Sequence, residues 1–165
     1  MQATIDCSRG AVGLFGAYAA LEQMGVEGFQ IAMARGLQNA NHLRARLSAL
    51  PQVKVIAPCN QGPSVGFRIY DPARVSDAER EFALEYAVRG DEVYEPRIEE
   101  NDRFHRALFV RRGKMGLSTN WVKTFSHTAY DERGRFHALP GEKAVFMNVH
   151  TTRAAIDTFL DHLMG

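Results

Sequence analysis

The apolar positions of this chain recur mostly by threes and fours, interrupted by short stretches of a different pattern. Between Arg9 and Met24 the larger apolar residues Leu14, Tyr18 and Leu21 fall at i, i+4 and i+7, with Phe15 and Ala19 beside them. That is the spacing of one helical face. Small residues, among them Ala11, Gly13, Gly16, Ala17 and Ala20, fill much of the remainder. They suit a helix packed closely against another backbone, in a core or across a subunit interface. Gly25 is placed to end this helix as a C-cap. A second helix is predicted over 27–50, with the stripe Phe29, Met33, Leu37, Ala40, Leu43, Leu47 and Leu50. Arg35, Gln38, Arg44 and Arg46 fit its wetter face, and Pro51 stops it.

The period then shortens. Val53–Ala57 and Ser64–Tyr70 read as strands, separated by PCNQGP, which is turn chemistry. From Asp71 to Glu95 the pattern is weaker: Ser76 with Glu79 makes a capping box, and EFALEYAV fits a helix or a strand. Helix returns over Arg97–Arg112, with acids near its start and Arg111, Arg112 and Lys114 at its end, as the helix dipole favours. Leu117–Phe125 reads as a strand in which Trp121, Lys123 and Phe125 share a face. The segment 126–142 reads as a polar loop, and Lys143–Val149 as another strand. Thr151 or Thr152 then caps a last helix carrying Ile156, Phe159, Leu160 and Leu163. This order predicts an α+β fold, a small sheet covered by helices on one side. The division expected is 1–50 for the interface helices and 51–165 for a small α/β domain.

Composition narrows the function. Twenty basic and 19 acidic side chains leave a net charge of +1, which argues against a dedicated nucleic-acid binder. Hydrophobic residues make up 45% of the chain, enough for a packed core. Cys7 and Cys59 form neither a disulfide framework nor a metal knuckle, and read as reduced thiols. No apolar run approaches the length of a bilayer span, and the N-terminus lacks the pattern of a signal peptide. A cytoplasmic protein without membrane contact is the expectation.

Candidate chemistry is sparse. Ser8 and Arg9 stand where the first helix begins, and free backbone N–H groups there, with a hydroxyl and a guanidinium, suit a phosphate. Equally, Ser8 can simply cap the helix while Arg9 is solvated. The histidines show no ligand spacing, so no metal site is expected. GAVGLFG does not follow an apolar strand, and GLS at 116–118 is not a nucleophile elbow. Asp77, Glu79, Glu81 and Glu85 read as a wet helix face. None of Lys54, Lys114, Lys123 and Lys143 has the neighbours of a Schiff-base lysine.

The stretch TIDCSRGAVGLFGAYAALEQMGVEGFQIAMARGLQNANHLRARLSAL resembles a segment of the group II pyridoxal-phosphate-dependent amino-acid decarboxylases. That family has a Cys-Gly-Arg or Phe-Ser-Arg step, an alanine-rich helix and an "LGxxGY" junction into a long helix. Here the step is Cys7-Ser8-Arg9 and the junction runs from Met24 to Phe29. SVGFRIYDP resembles the family's first small-domain strand, and RIEENDRFHRALFVRRGKM its "NxxxxxxLxxxG" helix. VFMNVHTTRAAIDTFLDHL resembles its closing strand, "NPxTT" turn and final helix. The resemblance is weakest over 75–95 and 126–142.

The resemblance implies the small C-terminal domain of a fold-type-I enzyme, preceded by a long helical pair and working as a homodimer or beside a full-length subunit. It implies pyridoxal 5'-phosphate in the complete enzyme, where the ring is the electron sink for decarboxylation. Ser8, supported by Arg9, would approach the phosphate of a cofactor held mainly by the neighbouring subunit. The family's arginine, which pairs with the substrate carboxylate five residues before the Asn of "NPxTT", corresponds to Lys143, counted back from Asn148. Two departures stand out: Val149 replaces the family proline, and no His-Lys pair precedes Ser8. No catalytic residue is therefore assigned, and the segment alone should not decarboxylate. A non-catalytic dimerisation or regulatory module is the alternative, as is a fragment of an aldehyde-lyase or aminotransferase of the same fold type.

Overall fold

The computed structural model describes residues 11–88, 91–117, 119–127, 138–148 and 150–164. In chain order these form α1 (Ala11–Ser48), β1 (Val53–Ile56), β2 (Ser64–Ile69), α2 (Ala78–Val88), α3 (Glu95–Lys114), β3 (Asn120–His127), β4 (Ala138–Val145) and α4 (Arg153–Asp161). The strands make one antiparallel sheet in the order β1-β2-β4-β3, so the last strand of the sequence lies between β2 and β3. The result is the expected α+β unit, with a sheet small enough for both central strands to be buried.

Alternation along β2 sends Val65, Phe67 and Ile69 to one face and Gly66 and Arg68 to the other. The first face holds the main core. Val53, Val55, Val65, Phe67 and Ile69 pack there against Ala40, Leu43 and Leu47 of α1, Leu108 of α3 and Ile156 of α4. Phe67 and Phe159 meet edge to face with ring centres 6.3 Å apart.

The opposite face is not bare, which corrects the expectation of helices on one side only. Lys54, the register partner of Arg68, reaches the Glu79 carboxylate at 2.5 Å and lies over the Phe82 ring of α2. Arg68 bonds Glu85 of the same helix at 2.8 Å. A charge on that face needs a partner, and α2 supplies it. Further along, the Phe125 ring lies across Gly66, where a Cβ would come within 2.0 Å of Phe125 Cζ.

The predicted helical pair is a single helical run broken at Gly25, whose φ of 63° and ψ of −178° are open only to glycine. The stripe of the second half divides. Ala40, Leu43 and Leu47 are buried in the core, whereas Phe29 is 45% exposed. Phe15, Tyr18, Leu21, Val26 and Ile31 all face solvent.

Other boundaries move for local reasons. EFALEYAV is helical, and its cap is Asp77 rather than Ser76: Asp77 Oδ1 accepts from the Arg80 N–H at 3.1 Å. Part of the expected 126–142 loop is strand, because β4 begins at Ala138 and ends at Val145. Lys143 thus lies inside β4 instead of opening a strand. A register shift between Val122 and Ser126 breaks the alternation of β3. Trp121 pairs with Glu142, on the face of Phe67, while Phe125 lies over Gly66 on the other. Trp121 and Phe125 therefore do not share a face. Thr152 caps α4, accepting from the Ala155 N–H at 3.1 Å.

Gly36 marks a close approach of α1 to the segment after β4, since a Cβ there would sit 2.5 Å from the Phe146 carbonyl oxygen. Gly36→Ala should therefore destabilise by about 1–2 kcal/mol, overpacking outweighing a helix-propensity gain of about 1 kcal/mol. Gly113→Ala, where a Cβ meets nothing within 4 Å, should not destabilise. Urea denaturation followed by Trp121 fluorescence checks both; equal midpoints for the two variants would contradict this packing.

Candidate functional site

β4 and the turn that follows it line a pocket of about 510 Å³. Lys143, Asn120, Thr119, Asn148, Thr151 and Phe159 contribute to its wall. Asn120 and Lys143 are opposite one another in the β3–β4 ladder, and Asn120 Nδ2 donates to the Lys143 carbonyl at 3.5 Å. The turn is held by side chain to backbone bonds: Asn148 Oδ1 accepts from the His150 N–H at 2.9 Å, and Asn39 Nδ2 donates to the Thr151 carbonyl at 2.9 Å. Asn39 thereby joins α1 to the pocket rim.

Behind this wall is a buried carboxylate, Glu142. Arg112 and Thr119 donate to it, and His105 Nε2 lies 3.0 Å from Oε1. Arg112 also donates to the Leu163 carbonyl at 2.6 Å, joining α3 to the end of α4. Burial works to raise the Glu142 carboxyl, but its bonds from His105, Arg112 and Thr119 outweigh that, and it is held below the usual range. His105 is shifted down, burial being the main cause. Its Nδ1 is buried without a hydrogen-bond partner. A neutral ring donating through Nε2 fits this site, whereas a second proton on Nδ1 would have no acceptor.

A second buried cluster surrounds Arg68. Its guanidinium bonds both Glu85 oxygens at 2.9 and 2.8 Å, the Pro140 carbonyl at 3.0 Å and the Asp102 carboxylate. Tyr70 donates to Glu85 at 2.7 Å, and Asn101 Nδ2 bridges Glu81 and Glu85 at 3.0 Å each. Arg97 closes the cluster on Glu81 at 2.8 Å. Burial opposes the Arg68 charge, yet Glu85, then Tyr70 and Asp102, hold it protonated beyond its ordinary value. Glu81 and Glu85 are thus buried partners, not the wet face the sequence suggested. Their signals were an arginine inside the apolar run SVGFRIY and an i, i+4 pair of acids; neither pointed to the other.

Of the residues the sequence nominated, Ser8 and Arg9 lie outside the described residues. Lys143 is half-buried on the pocket wall. Lys54 is engaged by Glu79, and Lys114 and Lys123 are exposed. Among the described residues, no group of His, Cys, Asp and Glu could hold a metal ion, and no helix is long and apolar enough to cross a membrane.

No family model matches the chain, and neither does any curated protein. Solved structures do share its fold. The crystal structure of mouse CSAD in the apo form superposes with a TM-score of 0.65 at 14% identity, covering 97% of this chain and 28% of that one. A second mouse CSAD structure gives 0.62 at 15% identity, covering 98% and 28%. CSAD is a group II pyridoxal-phosphate-dependent decarboxylase. The chain thus has the fold of a region of a decarboxylase chain and spans little more than a quarter of its length.

The buried neutral His105 sets a pH dependence. Its folded value lies below the ordinary 6.5, so on acidification through that value the unfolded chain binds the proton first and stability falls. His105→Gln should flatten this part of the profile. Urea midpoints measured from about pH 7.5 to about pH 5.5 should drop more steeply in the parent than in the variant; parallel profiles would mean that His105 is not held neutral.

Proposed function

We propose that this chain is the C-terminal segment of a pyridoxal-phosphate-dependent amino-acid decarboxylase, a carboxy-lyase. It supplies part of the dimer interface and part of the cofactor and substrate site, but not the Schiff-base lysine. The observation that carries this reading is the fit of 97% of the chain onto 28% of CSAD at a TM-score of 0.65. The Ser-Arg step, the helical pair broken at Gly25 and the Asn148–Thr152 turn into α4 support it, because they stand in the order of the resembling family.

In this reading Ser8 and Arg9 approach the phosphate of a cofactor held mainly by the neighbouring subunit. Lys143 meets the carboxylate of the amino-acid substrate from the wall of the β4 pocket. An ammonium keeps the charge of the family's arginine but gives up its bidentate fork, so the substrate is held less strictly in plane. The protein works in the cytoplasm as a homodimer or beside a full-length subunit. The exposed half of α1, with Phe15 at 69%, Tyr18 at 62% and Ile31 at 70% exposure, supplies the apolar contact.

Two outcomes are expected. Titration of the chain with pyridoxal phosphate, followed by absorbance and borohydride trapping, should give no internal aldimine and no reduced lysine adduct. A stoichiometric adduct on Lys54, Lys114, Lys123 or Lys143 would make the chain an active site in its own right and end the fragment reading. In sedimentation the chain should self-associate through α1, and Tyr18→Glu with Leu21→Glu should return it to monomer; a parent that stays monomeric at high concentration counts against the interface.

A further inference from the structure

Along α3 and β3 runs an open groove of about 900 Å³, distinct from the β4 pocket. Its walls carry Arg103, Arg106, Arg111, Lys114 and Lys123 against a single carboxylate, Asp102, which is already ion-paired with buried Arg68. In a chain with 20 basic and 19 acidic side chains, this is a marked local excess of positive charge. Among the described residues, no ion pair engages Arg103, Lys114 or Lys123. The groove is also not purely polar. Ala107 and Val110 lie on the same stripe of α3 as Arg103 and Lys114, at i, i+4, i+7 and i+11.

We propose that this groove docks an acidic amphipathic helix of a partner protein, laid along α3. The stripe offers it a cation, two apolar positions and a second cation over about 16 Å of helix axis. That pattern matches a partner helix with acidic residues flanking an apolar centre, the helix-in-groove mode of recognition. Arg103 and Lys114 stand about 16 Å apart along the helix axis, too far to converge on one phosphate. Nucleic acid is disfavoured by the floor of the groove. Trp121, the aromatic residue on which a base would stack, is already covered: the Arg106 guanidinium lies 4.8 Å from its ring centre, and His105 and Phe109 approach it at 5.1 and 5.5 Å. Arg106, held against the adjoining rings of Phe109 and Trp121 at 5.4 and 4.8 Å, is instead pre-oriented for a carboxylate.

Trp121 is the only tryptophan in the chain, so its fluorescence reports occupancy of the groove. The test titrates the full chain with a synthetic helical peptide bearing Glu, Leu, Leu and Glu at i, i+4, i+7 and i+11. Matched peptides carry Gln or Lys in place of Glu, and a single-stranded oligonucleotide serves as a competing ligand. Saturable binding of the Glu peptide is expected, weakened about tenfold or more for the Gln peptide and by added salt. Arg103→Glu with Lys114→Glu, both exposed, should abolish binding of the Glu peptide and admit the Lys peptide. Equal binding of the Glu and Gln peptides, no saturable binding by fluorescence or calorimetry, or tighter binding of the oligonucleotide would each overturn the proposal.

Discussion

The arrangement of this fold depends on a charge that cannot reach water. Arg68 is fully buried on β2, and a guanidinium in that position is tolerated only if its donors are met and its charge is balanced. Breaking such a buried pair costs about 3–5 kcal/mol, a large share of the stability of a small domain. The partners come from separate elements: Glu85 from α2, Asp102 from α3 and the Pro140 carbonyl from β4. Satisfying Arg68 therefore fixes where α2 and α3 sit against the sheet. Glu142 does the reciprocal work on the neighbouring strand, where it is the buried acid and α3 brings His105 and Arg112 to it. Helix α3 is tied to the sheet at both points. The β4 pocket and the basic groove depend on that docking, since Thr119 is held by Glu142 and the groove is cut along α3 itself.

Much of this was legible from periodicity. The helices of α1, α3 and α4, the Gly25 break and the Thr152 cap follow from spacing and capping chemistry, and the structure places them close to where the sequence puts them. The misses share a cause: local signals whose meaning is decided by distant partners. Glu81 and Glu85 look wet in a helix until Arg68 and Asn101 are placed beside them. ALPGE looks like a turn because Pro140 and Gly141 usually make one. Here Pro140 falls in the register shift opposite 123–125, where the ladder does not ask for its missing N–H. Gly141 fits because a Cβ there would press on the Phe67 carbonyl oxygen and Ile56 Cδ1, at 3.1 and 3.2 Å.

The candidate sites divide in the same way. Lys143 is nominated only through the family resemblance, by counting back from Asn148. The pocket around Lys143 could not be read from the sequence, being assembled from β3, β4, α1 and α4. The basic groove was hidden for another reason. Arg111, Arg112 and Lys114 are accounted for by the helix dipole, and a near-neutral total conceals how charge is distributed. Folding separates them: Arg112 turns inward to Glu142, while Arg111 and Lys114 stay on the groove wall.

The energetics of α1 divide near Gly36, where burial begins, rather than at the Gly25 break. Beyond Gly36, Ala40, Leu43 and Leu47 join the common core, so this part of the helix is stabilised by the sheet it covers. Before it, Phe15, Tyr18 and Leu21 have more than half of their surface in water, and intrinsic helix propensity is a weak source of order for a segment of that length. Opening free energies need not be uniform along one continuous helix. The part without tertiary contacts draws its stability from whatever surface it meets. The Gly25 break lies inside the exposed stretch and well before Gly36, so a surface that meets 15–24 need not disturb the docking of 36–48.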